Sequence, residues 1–283
     1  MCLNVLLKAY AKINWTLNVT GVRPNGYHDL DMIMQSVDLC DDVYMQPAKD
    51  LTLEIDGPRA TVLQANDDNL MLRAARLMQR ETGCTNGVAM RLTKRIPMQA
   101  GMGGGSSDAA AVLKGLNQMW NLGMSDNKLC ALGLKLGADV PYCLTGGLCR
   151  AQGLGEELTK IADAPKVSLL VSMPTRGLNT AEVFKSSGVG SMQPTQDAIE
   201  SLKVSNWEWL RENTANDLEL PAKSMRPDIG VCIMRMYALG ASFARMTGSG
   251  SAVYGVFTQE KIDDALNELK RDYPDSFITH TLA

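Results

Sequence analysis

Pro97-Met98-Gln99-Ala100-Gly101-Met102-Gly103-Gly104-Gly105-Ser106-Ser107-Asp108 runs directly into the apolar stretch Ala109-Ala110-Ala111-Val112-Leu113. Four glycines within five positions let consecutive backbone N–H groups converge on one concavity, with no Cβ in the way. The residues that follow open a helix whose first N–H groups lack intrahelical partners and favour an anion. The plainer alternative is a flexible turn before a helix capped by Ser106 or Ser107. Capping needs one serine and no glycine run, so the stretch reads as a phosphate cradle. It is not a P-loop, because no lysine follows the second glycine until Lys114. Nor is it a dinucleotide fingerprint: Gly101, Gly103 and Gly104 miss that spacing, and no acidic residue suited to a ribose closes a following strand.

At 283 residues, 45% hydrophobic and 21% charged, the chain is long enough for two domains. Folding at this size buries roughly three quarters of the surface of the unfolded chain, so no disulfide or metal staple is required. Cys2, Cys40, Cys84, Cys130, Cys143, Cys149 and Cys232 form no CxxC pair and only two histidines are present, which argues against a structural zinc site. The first residues turn polar too soon for a signal peptide, and eighteen apolar residues never run together. A reducing cytoplasm is the expected setting. A net charge of −3, with acids and bases mixed along the chain, argues against nucleic-acid or membrane partners and leaves a small molecule as the ligand.

Residues 3–9 and 13–19 alternate as two strands, with further short strands at 43–45 and 51–55. Leu70, Ala74, Leu77 and Met78 then share one helical face that ends at Gly83, and a strand at 88–92 delivers the chain to the glycine loop. Helices over 107–120 and 125–136 follow, then a strand over 142–151. The turn-rich Gly153-Leu154-Gly155-Glu156-Glu157 marks a boundary, giving domains 1–155 and 156–283. A strand at 167–172 opens the second domain, and 186–203 reads as loop and short helix. Helix 228–239, strand 242–246, strand 252–257, helix 262–271 and strand 277–281 resemble a split βαβ, ferredoxin-like unit.

Three further segments bear chemistry. In Ala11-Lys12-Ile13-Asn14-Trp15, Lys12 and Asn14 lie two apart and share one strand face, either as a polar pair for a phosphate or hydroxyl or as the solvated face of an edge strand. Arg23-Pro24-Asn25-Gly26-Tyr27-His28 is a turn whose exit offers an aromatic face and an imidazole, suited to a planar heterocycle unless His28 is only a surface residue. In Gly137-Ala138-Asp139-Val140-Pro141, Asp139 is either a general base or a turn-forming side chain bonded to its own backbone.

Taken in order, Ala11 to Asn14, Gly26-Tyr27-His28, Pro97 to Asp108, Gly137 to Pro141 and Thr247-Gly248-Ser249-Gly250 resemble the GHMP kinase superfamily, named for galactokinase and the homoserine, mevalonate and phosphomevalonate kinases. Gly-Tyr-His together with Gly-Gly-Gly-Ser-Ser is similar to its branch acting on 4-diphosphocytidyl-2-C-methyl-D-erythritol. The resemblance implies a two-domain α+β fold, an N-terminal domain like that of ribosomal protein S5 followed by a ferredoxin-like C-terminal domain. It implies ATP and Mg²⁺, and phosphoryl transfer to the 2-hydroxyl of cytidine diphospho-methylerythritol, a step of the non-mevalonate route to isoprenoid precursors. A homodimer is left open.

By the same resemblance Asp139 and Lys12 are the catalytic pair, and Asn14, Tyr27, His28 and Thr180 hold the substrate. Asn69, Lys94, Pro97, Met98, Ala100, Gly101, Met102, Gly103, Gly104, Gly105, Ser106, Ser107, Gly248, Ser249 and Gly250 surround ATP. Asn25 stands where the family usually has Asp, and residues 153–215 match weakly. A homoserine or mevalonate kinase would keep the glycine loop without needing Tyr27 and His28, while a silent nucleotide-binding regulator would not need Lys12 and Asp139.

Overall fold

The computed structural model describes residues 4–60 and 64–282. The chain divides into two compact units. The first holds the chain up to Ala11, Leu39–Met98 and Gly103–Gly146; the second holds Lys12–Asp38, Gln99–Met102 and Gly147 onward. Two long strands, β1 (Val5–Val22) and β2 (His28–Ala48), pass from one unit into the other, as does the glycine loop.

In the first unit, β2 pairs antiparallel with β4 (Gly87–Thr93), from Asp42 opposite Thr93 to Ala48 opposite Gly87. On its other side β4 pairs in parallel with β3 (Leu51–Asp56). The helices among the unit's described residues are α1 (Leu70–Thr82), α2 (Gly104–Met119), α3 (Asp126–Leu134) and α4 (Val140–Thr145). The α1 positions expected to share a face do so: Ala74, Leu77 and Met78 are buried, Leu70 packs against the same core, and Gly83 ends the helix in the left-handed conformation. They meet Val43, Met45, Val88, Met90 and Leu92 of the sheet and Ala109, Val112, Leu113 and Leu116 of α2. Each large apolar side chain in this cluster contributes roughly 1.5 to 3 kcal/mol on burial.

In the second unit, β5 (Leu148–Gly153) pairs antiparallel with the first half of β2, and β6 (Glu157–Lys160) with β5. A separate antiparallel sheet contains β7 (Ser168–Ser172), β8 (Phe243–Met246), β9 (Val253–Val256) and β10 (Ser276–His280), in the order β10-β7-β9-β8. With α9 (Asp228–Ala238) before β8 and α10 (Gln259–Asp272) before β10, this is the expected ferredoxin-like βαββαβ unit. Four helices lie in the intervening sequence: α5 (Thr180–Lys185), α6 (Thr195–Lys203), α7 (Trp207–Asn213) and α8 (Glu219–Met225).

Several elements differ from the sequence expectation. The two strands at 3–9 and 13–19 are one strand, β1, buried without interruption from Ala11 to Val19, and Leu3 lies outside the described residues. The strand expected over 142–151 begins only at Leu148. Before it Val140–Thr145 is helical, because Pro141 sits in the first turn, where its missing N–H costs nothing. The stretch 186–203 does hold the expected short helix: its last nine residues form α6, which buries Ala198, Ile199 and Leu202. No helix among the described residues is long and apolar enough to cross a membrane.

Candidate active site

In the second unit, β1 carries Lys12 and Asn14 on one face, as their spacing predicts. Both are buried, and the Lys12 ammonium donates to Asn14 Oδ1 at 2.6 Å. The Asn14 N–H donates to Thr247 Oγ1 at 3.1 Å, and the Lys12 N–H donates to the Met102 carbonyl at 3.0 Å. These bonds fasten the strand to the turn between β8 and β9 and to the glycine loop. An ideal Cβ on Gly248 would lie 2.8 Å from the Gly101 carbonyl oxygen and 3.1 Å from Lys12 Nζ. Lys12, Asn14, Gly101, Met102 and Gly248, far apart in sequence, are thus assembled together. Asn216 holds the same turn through bonds of 2.9 and 2.8 Å from its amide to the Met246 and Gly248 carbonyls. Ala100 accepts the Ala252 N–H at 3.2 Å.

Thr180, the first residue of α5, lies 2.8 Å from Ser249, hydroxyl to hydroxyl. Asn25 Oδ1 accepts the Tyr27 N–H at 3.1 Å, the turn role that its position suggested. Tyr27 is 61% exposed, so a planar ligand can reach its face. The His28 ring sits 5.2 Å, centroid to centroid, from Phe184 of α5. Phe184 has no counterpart in the sequence reading, because the stretch before it shows no pattern that would single it out.

In the first unit, α2 begins at Gly104 with Gly103 as its N-cap, in the left-handed conformation and with no side-chain capping bond. Neither serine caps the helix. Ser107 instead donates through its hydroxyl to the Tyr10 carbonyl at 2.6 Å. The Gly104 to Ser106 N–H groups therefore open the helix as its unpaired first turn, at the positive end of its dipole. Pro97 and Met98 lead into this loop, Pro97 buried and Met98 half-buried, and Gly105 faces solvent.

Asn69 is the N-cap of α1: its Oδ1 accepts the Met71 N–H at 2.9 Å and its Nδ2 donates to the Gln64 carbonyl at 3.1 Å. Lys94 is 1% exposed, with its ammonium 2.5 Å from Asp41 and 2.6 Å from Asp108. Burial pushes the Asp108 carboxyl up to about 7, with the Asp41 charge adding to the rise and the Lys94 ammonium opposing it. Asp139 is the N-cap residue of α4, half-buried, and its carbonyl accepts the Cys143 N–H at 3.0 Å. Asp41 and Asn216 were not singled out in the sequence. Thr247 and Asp108 stand within its glycine motifs, though without an assigned role.

A nest of glycines at a helix start and a buried lysine–asparagine pair are residue types suited to binding and stabilising a phosphoryl group. The family models "GHMP kinases N terminal domain" and "GHMP kinases C terminal" match residues 69–147 and 198–275. A 4-diphosphocytidyl-2-C-methyl-D-erythritol kinase of Alkaliphilus metalliredigens is 39% identical over 256 residues, 89% of this chain and 88% of its own. The chain belongs to the GHMP kinases. The likeness extends through the whole length of this GHMP kinase: a Clostridium botulinum protein of the same name is 37% identical over 98% of this chain and 99% of its own. The crystal structure of a 4-(cytidine 5'-diphospho)-2C-methyl-D-erythritol kinase superposes with a TM-score of 0.82 at 32% identity, covering 99% and 100% of the two chains. A homoserine kinase from Cytophaga hutchinsonii shares the fold, with a TM-score of 0.76 at 15% identity over 99% and 95% of the two chains.

Proposed function

We infer that this GHMP kinase transfers the terminal phosphoryl group of ATP to the 2-hydroxyl of 4-diphosphocytidyl-2-C-methyl-D-erythritol, a step of the non-mevalonate route to isoprenoid precursors. The observation that carries the reading is the full-length likeness to kinases of that name, at more than twice the identity seen with the homoserine kinase. The exposed Tyr27 ring, followed in sequence by His28, whose ring packs on Phe184, supports a cytosine-recognising end that a homoserine kinase does not need.

The chemistry follows from the residue types. The substrate oxygen forms a bond to the terminal phosphorus as the bridging P–O bond breaks, and ADP leaves with that electron pair. Asp139 accepts the hydroxyl proton, and the Lys12 cation offsets negative charge that builds up in the transfer. The N–H groups of Gly104, Gly105 and Ser106 at the start of α2 cradle the phosphates, and such donors stabilise the spreading negative charge. Thr180, through Ser249, and Asn14, through Lys12, orient the acceptor and the cation. Mg²⁺ bound with the nucleotide would offset charge on the phosphates.

The proposed setting is the cytoplasm, where burial-raised thiols such as Cys40, Cys130 and Cys232 stay reduced and inert. The test is direct. Pure protein, ATP and Mg²⁺ are incubated with the cytidine diphospho-alcohol, with homoserine or with mevalonate, and ADP release is followed. Release with the cytidine compound alone supports the reading, and release with homoserine or mevalonate overturns it.

A further inference from the structure

Lys94 stands at the end of β4 with its ammonium wholly enclosed, 2.5 Å from Asp41 Oδ2 and 2.6 Å from Asp108 Oδ2. Asp41 also accepts the backbone N–H groups of Arg95 at 2.5 Å and Ile96 at 2.8 Å. One carboxylate therefore fastens the segment that delivers the chain to the glycine loop. Asp108 lies in the second turn of α2, so the same ammonium also fastens the helix that leaves the loop. Gly104 covers this junction: an ideal Cβ there would lie 3.0 Å from both Lys94 Nζ and Ile96 Cγ2.

Stability alone does not explain such a cluster. Taking charges out of water costs several kcal/mol per ion, and well-packed apolar groups of similar volume are often as stable or more so. The cluster is not even saturated, since Asp108 Oδ1 has no hydrogen-bond partner among the described residues. What it supplies is direction. Three side chains on three elements, locked by short bonds, fix the distance between the strand end and the first turn of the helix.

We propose that Lys94, Asp41 and Asp108 form the positioning device of the phosphate loop, holding the two chain segments that bracket it so that its N–H groups converge on the triphosphate. The enclosed Lys94 ammonium acts through Asp108 and Asp41. The inference rests on the reading of the loop as a phosphate seat.

The test measures binding of ATP and of cytidine diphosphate by calorimetry, alongside unfolding midpoints. The proteins are the wild type, Lys94→Met, Asp41→Asn and the double variant Lys94→Met with Asp108→Leu. Lys94→Met is expected to weaken ATP by at least about tenfold while cytidine diphosphate stays within about twofold. The double variant no longer buries the Asp108 carboxylate without its cation, and Asp41 keeps its two N–H donors, so the midpoint recovers in part while ATP binding stays weak. If Lys94→Met does not fold, the double variant and Asp41→Asn carry the test. ATP affinity that returns with stability in the double variant, or that is unchanged in every folded variant, overturns the inference. A wild type that binds no ATP overturns the loop reading and the inference with it.

Discussion

The backbones of Gly101 and Thr247 approach so closely that an ideal Cβ on Gly101 would lie 2.0 Å from the Thr247 carbonyl oxygen. Thr247 Oγ1 also donates to the Gly101 carbonyl at 3.3 Å. The glycine has a φ of +72°, which L side chains adopt at a cost of about 1 to 2 kcal/mol. Gly101→Ala therefore pairs that strain with a clash against main chain, which cannot swing aside. Chemical denaturation should show a loss of more than about 2 kcal/mol. A midpoint equal to that of the wild type would show that the loop and the turn part without penalty.

Tyr27 offers its ring to solvent, and its removal leaves no cavity in the core. Tyr27→Ala is accordingly expected to leave the unfolding midpoint unchanged and to weaken the cytidine substrate by about 1 to 3 kcal/mol, the scale of base stacking on an aromatic ring. The KM for ATP should not move. A substrate affinity equal to the wild type's would exclude stacking on this ring.

Asp108 gives stability a pH dependence of definite sign. Its folded-state carboxyl, raised to about 7 by burial, keeps a proton that the unfolded chain releases near its ordinary value of about 3.9. Between those two values the folded state binds more protons than the unfolded state, so this group's contribution to stability falls as pH rises. Asp108→Asn cannot titrate. Its stability relative to the wild type should therefore climb by more than about 1 kcal/mol from about pH 4 to about pH 7 and level off above that range. A difference that stays flat across the range, read from urea melts at each pH, would contradict this.

Local spacing made part of this molecule legible. The pair Lys12 and Asn14 could be read because two residues of a strand share a face, and α1 because its apolar positions recur at helical intervals before Gly83. The long strand β2 could not, because its buried positions include Gln35, Ser36 and Asp41, polar side chains satisfied by distant partners. Asp41 meets Lys94 across 53 residues, a relation that no sequence window contains. Tyr142 was misread because a buried apolar run suits helix and strand alike, and Pro141 favours an extended neighbour before it as readily as a helix start. Phe184 reaches His28 only through the tertiary fold.

The most direct test of the account is the turnover of Asp139→Asn with ATP, Mg²⁺ and the cytidine diphospho-alcohol, measured beside its ATP affinity. The amide keeps the shape of the side chain but cannot take the hydroxyl proton. Turnover is predicted to fall by at least about a hundredfold with ATP binding and the unfolding midpoint unchanged. Turnover equal to the wild type's would remove Asp139 from proton transfer and contradict the mechanism.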